Sequence, residues 1–216
     1  NTSWVYMAAE PMWVINGSNR LDWAPEIDRI QSPYSDNQET LAGAYGPPFK
    51  QQLEYVARTL NSDINSRQAV MTIWKRDPFP SKDIPCTVAL QFIVRDGFIH
   101  CIVTMRSSDV GMGLPYDMLT FTCMAAEVAS MLNEPVELGN CYITAGSRHI
   151  YQDQVSKLEY IVNNAIMNVE YNPWAMWAWP AIKLKLMAIA QDYADTPENR
   201  MLIQSEARAS ILGLMS

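Results

Sequence analysis

Apolar and polar positions along the chain alternate in patterns that separate most of its elements. The run SWVYMAAEPMWVI (3–15) is apolar almost throughout, so its period does not decide between buried helix and buried strand. Glu10 sits inside that run and is followed by Pro11. Residues 18–49 are polar, rich in turn formers, and end in GAYGPPF; they read as loop. QQLEYVARTLN (51–61) places Leu53, Val56, Ala57 and Leu60 at helical spacing, with a stop expected near NSDINS. AVMTIW (69–74) reads as a strand and KRDPFPSKDIP (75–85) as loop. CTVALQFIV (86–94) and FIHCIVTM (98–105) are β-branched and aromatic runs joined by RDG, which predicts a hairpin with Gly97 at positive φ. YDMLTFTCMAAEVASML (116–132) predicts a long helix stopped by NEP, and NCYITAGSRHIY (140–151) a strand leading into a loop. From residue 151 onward the chain reads mostly helical, interrupted by NPWAMWAWP (172–180). These elements predict an α+β fold with a central mixed sheet and packed helices, as a single domain over residues 1–216.

Composition narrows the function classes. About half of the 216 residues are apolar, enough for a full core, and the net charge of −7 argues against non-specific nucleic-acid binding, which needs a basic surface. A small anionic ligand needs only a few local arginines and stays open. The cysteines Cys86, Cys101, Cys123 and Cys141 form no C-x-x-C pair, and neither His100 nor His149 has ligand spacing to them; no metal and no disulfide framework are expected. A reducing, cytoplasmic setting follows. No apolar run reaches the roughly 18 residues of a membrane span, and no signal peptide is visible. The first residues already read as core, so the natural N-terminus is expected to lie upstream.

Several residues carry candidate chemistry, each beside a plainer explanation. Cys86 follows Ile84-Pro85 and opens a strand, where a free cysteine is more often a small buried hydrophobe than a nucleophile. Arg106 ends an apolar strand and needs a partner there. Arg67 follows a helix end, where a cation is ordinary. Glu10 in an apolar run calls for an ion pair, a helix-entry role or a function. His149 stands beside Arg148 in a loop-like stretch, as a solvated or capping residue or a ligand group. The tryptophan-rich PWAMWAWP is most simply core. Asp117 follows Gly-Leu-Pro-Tyr at a predicted helix mouth, where a carboxylate is usually only a cap.

Their order is more specific than any one of them. Glu10, AYG, SR, PC…QF, RSSDVGMGLPYD and GSRHIY resemble, in sequence and spacing, the thymidylate synthase superfamily over about residues 8–160. The resemblance implies that family's fold and a homodimer with shared active sites. It makes Cys86 the nucleophile and Glu10 the acid that manages protons at a pyrimidine through water. It assigns Arg106 and Ser107 to the nucleotide phosphate, with Arg67 reaching across from the partner subunit. Gln68 stands where the family has a second arginine. Asp109 and Gly113 would shape the site, His149 and Tyr151 would bond the sugar 3′-hydroxyl, and Tyr45 would lie near the base.

Four positions resemble phage deoxycytidylate hydroxymethylases rather than the synthases. Asp117 replaces Asn, Thr87 replaces His, Met105 replaces Gln, and Gly146-Ser147 precedes Arg148-His149 in place of GDTH. Uracil presents an acceptor at C4 and a donor at N3, which an asparagine amide pairs; cytosine presents a donor at C4, and N3 becomes a donor once protonated. A carboxylate accepts from both, so Asp117 implies cytosine. The resemblance therefore implies conversion of dCMP to 5-hydroxymethyl-dCMP with 5,10-methylenetetrahydrofolate as co-substrate. C5-methylation of dCMP, a CMP hydroxymethylase and a catalytically silent nucleotide binder are the alternatives. No nucleic acid, membrane or metal is implied, and a viral source would put the enzyme in the host cytoplasm.

Overall fold

The computed structural model describes residues 3–75, 80–164, 176–191 and 197–214. Its spine is α1 (Trp4–Ile15), in which Ser3 caps the start by accepting the Tyr6 N–H at 3.2 Å. Every residue from Val5 to Ile15 is buried except Glu10, which is half-buried. A helix buried on all sides shows no polar face, which is why its apolar run left helix and strand undecided. Pro11 lies inside it.

Residues 18–49 are not all loop. Leu21–Trp23 and Ser32–Tyr34 form 3-10 turns around a short helix, α2 (Pro25–Gln31), with Pro25 in its first turn. The helix expected at 51 starts earlier, as α3 (Gly46–Ser62), because Pro47 and Pro48 are tolerated in a first turn. The predicted strand at 69–74 shortens to β1 (Val70–Thr72). The hairpin is present as β2 (Thr87–Arg95) and β3 (Phe98–Met105), paired antiparallel from Arg95↔Phe98 to Thr87↔Met105. Asp96 and Gly97 take φ of 53° and 80° at its turn.

β4 (Ser108–Asp109) is followed by α4 (Gly113–Ala129), three residues longer at its start than the sequence predicts. β5 (Glu137–Ala145) then pairs in parallel with β3, and α4 is the crossover that such a pairing requires. The expected loop around His149 contains β6 (Arg148–His149), which pairs in parallel with β4. The main sheet runs β1-β2-β3-β5. The C-terminal part is helical where described: α5 (Val155–Asn164), α6 (Trp179–Ala190) and α7 (Pro197–Leu214). The first four residues of the NPWAMWAWP interruption, the helix expected over 165–167 and part of the 75–85 loop lie outside the described residues.

Inward positions of the strands, including Leu90, Phe92 and Val94 of β2 and Ile99, Cys101 and Val103 of β3, face the helices and are buried. Each such side chain contributes about 1.5–3 kcal/mol by leaving water. The opposite face, with Gln91, Ile93, Phe98, Ile102 and Tyr142, has no described helix sealing it; Phe98 and Tyr142 are 45% and 52% exposed. No described helix is long and apolar enough to cross a membrane.

The hairpin turn carries a local prediction. A Cβ added at Gly97 would meet nothing within 4 Å, so the cost of Gly97→Ala is conformational alone. It should lower stability by about 1–2 kcal/mol, the penalty of a left-handed L-residue, read as a lower urea midpoint at unchanged slope. Unchanged stability would show that the turn relaxes freely.

Candidate active site

The open end of the hairpin brings Cys86 and Arg106 side by side. The Arg106 backbone N–H donates to the Cys86 carbonyl at 2.8 Å. Its side chain turns back: Nε donates to the Pro85 carbonyl at 3.0 Å and Nη2 to the Ile84 carbonyl at 2.9 Å. Arg106 therefore pins the segment that presents Cys86, and its remaining guanidinium N–H groups stay available on an exposed side chain. Burial pushes the Cys86 thiol pKa up, the Arg106 charge pulls it down, and Asp117 and Asp83 push it up again. Ser107, next along, is half-buried and its side chain makes no hydrogen bond among the described residues.

Asp117 is not a cap. α4 begins at Gly113 with Met112 in the capping position, so Asp117 lies more than a turn inside the helix. Its carboxyl makes no hydrogen bond among the described residues. Burial foremost, then the charges of Glu10, Cys141 and Asp109, hold its pKa well above the usual carboxylate range. A Cβ built on Gly113 would lie 3.7 Å from Asp117 Oδ2 and 3.8 Å from Asp109 Cβ, so the absent side chain keeps the space beside both acids clear. Asp109 Oδ1 accepts the Gly111 N–H at 2.9 Å, and Asp109 is the strand partner of His149. The His149 ring meets the exposed Tyr151 ring edge-on at 5.1 Å.

Glu10 faces the same space from α1. Tyr6 Oη donates to Glu10 Oε1 at 2.6 Å and Thr120 Oγ1 to Oε2 at 3.2 Å. Burial raises the Glu10 pKa, and the two hydrogen bonds pull it back toward the ionised form. Tyr45 Oη accepts the Thr87 N–H at 3.2 Å, which leaves the phenol proton free to be donated. Burial, then the Asp117 charge, raises the Tyr45 pKa well above normal. Thr87 Oγ1 is buried without a hydrogen-bond partner among the described residues. Glu10, Tyr45, Cys86 and Asp117 line one cavity of about 130 Å³, together with Trp13, Gln31, Leu41 and Asp83. Drug-sized pockets run to roughly 300–1,000 Å³, so this one suits a single ring with its substituents at the rim.

Arg67 and Gln68 are not brought to that cavity. Both are exposed beyond the far end of β1, where Val70 pairs with Gln91, about 13 Å along β2 from Thr87. Gln91 Nε2 donates to the Arg67 carbonyl and Tyr55 Oη to the Gln68 carbonyl, which holds this corner in place. Sequence reasoning missed Tyr6, Thr120, Gln31, Asp83 and Cys141 near the site. Tyr6 stands four residues before Glu10, a helical spacing that becomes legible only once the run is a helix. Gln31 and Asp83 sit in stretches that carry no periodicity.

Comparison with known proteins gives the family and the fold. A family model described as thymidylate synthase matches residues 1–174. The chain belongs to the thymidylate synthase family. It is 26% identical over 160 residues to the thymidylate synthase of Buchnera aphidicola subsp. Baizongia pistaciae, covering 68% of this chain and 60% of that protein. It is 25% identical over 162 residues to that of Coxiella burnetii, covering 68% and 61%. The fold is similar to thermostable thymidylate synthase A from Bacillus subtilis, with a TM-score of 0.63 and 20% identity over 76% of this chain and 63% of that one. The chain thus spans about three fifths of the length of the curated relatives it matches.

The pairing of Arg106 with the Cys86 segment gives a direct test. Removing the guanidinium removes the group that lowers the Cys86 pKa. In Arg106→Ala the midpoint for Cys86 alkylation by iodoacetamide, followed by peptide mass, should move to higher pH. An unmoved midpoint would mean that Arg106 does not tune the thiol.

Proposed function

We propose that the chain hydroxymethylates deoxycytidylate at C5, through a covalent Cys86–C6 adduct, with 5,10-methylenetetrahydrofolate as one-carbon donor. The observation that carries this assignment is Asp117, a largely desolvated carboxyl without a hydrogen-bond partner among the described residues, lining the cavity of Cys86 more than a turn inside α4. A cap or a structural ion pair would have spent that carboxyl on the protein itself. Left unspent, it is free for a ligand with two donors on one edge, which is the pattern of an N3-protonated cytosine.

The chain's own groups supply the chemistry. Pyrimidine C5 is a poor nucleophile until C6 is attacked; the Cys86 thiolate adds there, and electron density flows to C5 and toward N3. Asp117, whose burial keeps a proton close to its carboxyl, is placed to share that proton with N3 as the density arrives. Glu10 handles protons at the ring through water, and Tyr45 offers its free phenol proton beside the base. Arg106 and Ser107 are assigned to the phosphate, Asp109 and Gly113 to shaping the site, His149 and Tyr151 to the sugar 3′-hydroxyl, and Thr87 to the wall behind Cys86. The donor set suits a flat heteroaromatic ring as well: Trp13, Val14 and Leu41 give an apolar wall, and Asp83 and Gln31 give polar groups at its edge. The folate supplies a carbon at the oxidation level of formaldehyde. C5 would bond to that carbon, a base would take the C5 proton, and tetrahydrofolate would leave as its carbon–nitrogen bond breaks, giving an exocyclic methylene. Water would then add its hydroxyl to that methylene, with its proton going to the thiolate that leaves C6 as the C5–C6 double bond re-forms.

The working unit is proposed as a homodimer in which the open sheet face meets its copy. Phe98 and Tyr142 are large and exposed on that face, and Arg67 lies at the far end of β2 from its own Cys86. A symmetric pairing of the two sheets would let Arg67 serve the other site, with Gln68 adding a neutral hydrogen bond. The whole chain is read as one domain.

Incubation with dCMP, dUMP and CMP in the presence of methylenetetrahydrofolate, with products weighed, tests the assignment. The expected product comes from dCMP, carries one added CH2O unit and forms without dihydrofolate. Stoichiometric dihydrofolate with an added CH2 would make the chain a methylase, and product from dUMP or CMP alone would overturn the substrate.

A further inference from the structure

Among the groups around the cavity, Tyr6 has no role in the chemistry above, yet its hydroxyl is tied on both sides. It donates to Glu10 Oε1 at 2.6 Å, and Gln31 Nε2, at the end of α2, donates to it. A phenol has one proton. Because Gln31 occupies the acceptor side, that proton has only Glu10 to go to. The Tyr6 ring is clamped edge-on against Tyr116 of α4 at a centroid distance of 5.0 Å, so the hydroxyl cannot swing away. Tyr6 is buried, whereas Gln31 and Glu10 both line the cavity.

We propose that Tyr6, locked by Gln31, is a positioning residue that orients the Glu10 carboxylate and keeps it in its ionised form. The consequence is a chain of three side chains from two helices, Gln31 of α2 and Tyr6 and Glu10 of α1, whose far end opens on the cavity. Thr120 of α4 holds the second carboxylate oxygen, so both oxygens of Glu10 have fixed donors and the carboxylate plane is set. A charge-assisted hydrogen bond is worth more when buried than at the surface. It opposes burial, which on its own favours the protonated acid.

The other titratable groups around Glu10 are Asp117 and Tyr116 of α4, Tyr45 at the start of α3, and Cys86 and Asp83 across the cavity. From the helices also packed on α1, Lys183 of α6 is engaged by Glu127, and Gln204 of α7 by the Trp4 N–H and Ser3. Tyr6 is thus the closest donor that counters the desolvation of Glu10.

The inference rests on Glu10 being the proton-handling group, and its test is separable from the nucleotide assignment. The titration of Glu10 is read by the infrared C=O band of its protonated carboxyl, identified by its loss in Glu10→Gln. In Tyr6→Phe, which keeps the ring, the midpoint should move to higher pH. Gln31→Leu, which leaves the ring in place but frees the O–H proton to rotate from Glu10, should move it in the same direction by less. Release of tritium from 5-tritiated dCMP by Tyr6→Phe should fall about tenfold below the new midpoint, the equivalent of 1.4 kcal/mol, and return to the parent rate at high pH. A merely structural tyrosine would lower the rate at every pH. An unmoved infrared midpoint in both variants would overturn the proposal. Absence of tritium release by the parent would instead overturn the substrate assignment and leave the infrared titration to decide the role of Tyr6.

Discussion

The pairing of Thr87 with Met105 at the open end of the β2–β3 hairpin determines where Cys86 and Arg106 leave the sheet, and both then meet through the Arg106 N–H and the Cys86 carbonyl. A slip of one residue would turn Leu90, Phe92 and Val94 out of the core and separate thiol from guanidinium. Burial of that apolar face therefore enforces the position of Cys86, the proposed nucleophile. The irregularity between Thr87 and Ala89 lies at this same end, where the strand gives way to the Ile84–Pro85–Cys86 segment held by the Arg106 side chain.

Around that fixed pair the fold crowds acids. Glu10 enters from α1, Asp117 from α4 and Asp83 from the segment before Cys86. Each has its pKa raised chiefly by burial, and Arg106 is the cation that acts on Cys86 among them. Such a cavity favours ligands that bring protons or hydrogen-bond donors to it. The Arg106 Nε and Nη2 groups hold the Pro85 and Ile84 carbonyls of the Cys86 segment, and its other N–H groups are the ones proposed for the phosphate.

Much of this was legible in the residues, and the gaps have physical causes. The RDG hairpin and the helical spacing of Leu53, Val56 and Leu60 could be read because each has an inward and an outward face; the long helix through Phe121 is mostly buried and was legible from its length and its NEP stop. α1 could not be assigned from its period, since burial on every side erases the contrast that periodicity measures. α2 was hidden because seven residues with a proline start look like a turn-rich loop. The site showed the same division. Cys86, Arg106, Glu10 and Asp117 stood out as chemistry in apolar or punctuated surroundings, whereas Tyr6, Gln31 and Thr120 are ordinary residues made informative only by what they touch. Asp117 itself had a plain competing explanation as a helix cap. The earlier start of α4, at Gly113, removed it.

The carboxyl of Asp117, without a hydrogen-bond partner among the described residues, is proposed to select the base. The ratio of kcat/KM for dCMP over dUMP, measured for the parent and for Asp117→Asn, tests it most directly. An amide held in that place can donate to uracil O4 and accept from N3–H, so the ratio should fall by an amount worth one or two hydrogen bonds of about 1–3 kcal/mol each. Because Asp117 is no cap, the substitution should leave folding intact. A ratio that stays the same in a folded variant would contradict the account and mean that the base is read elsewhere.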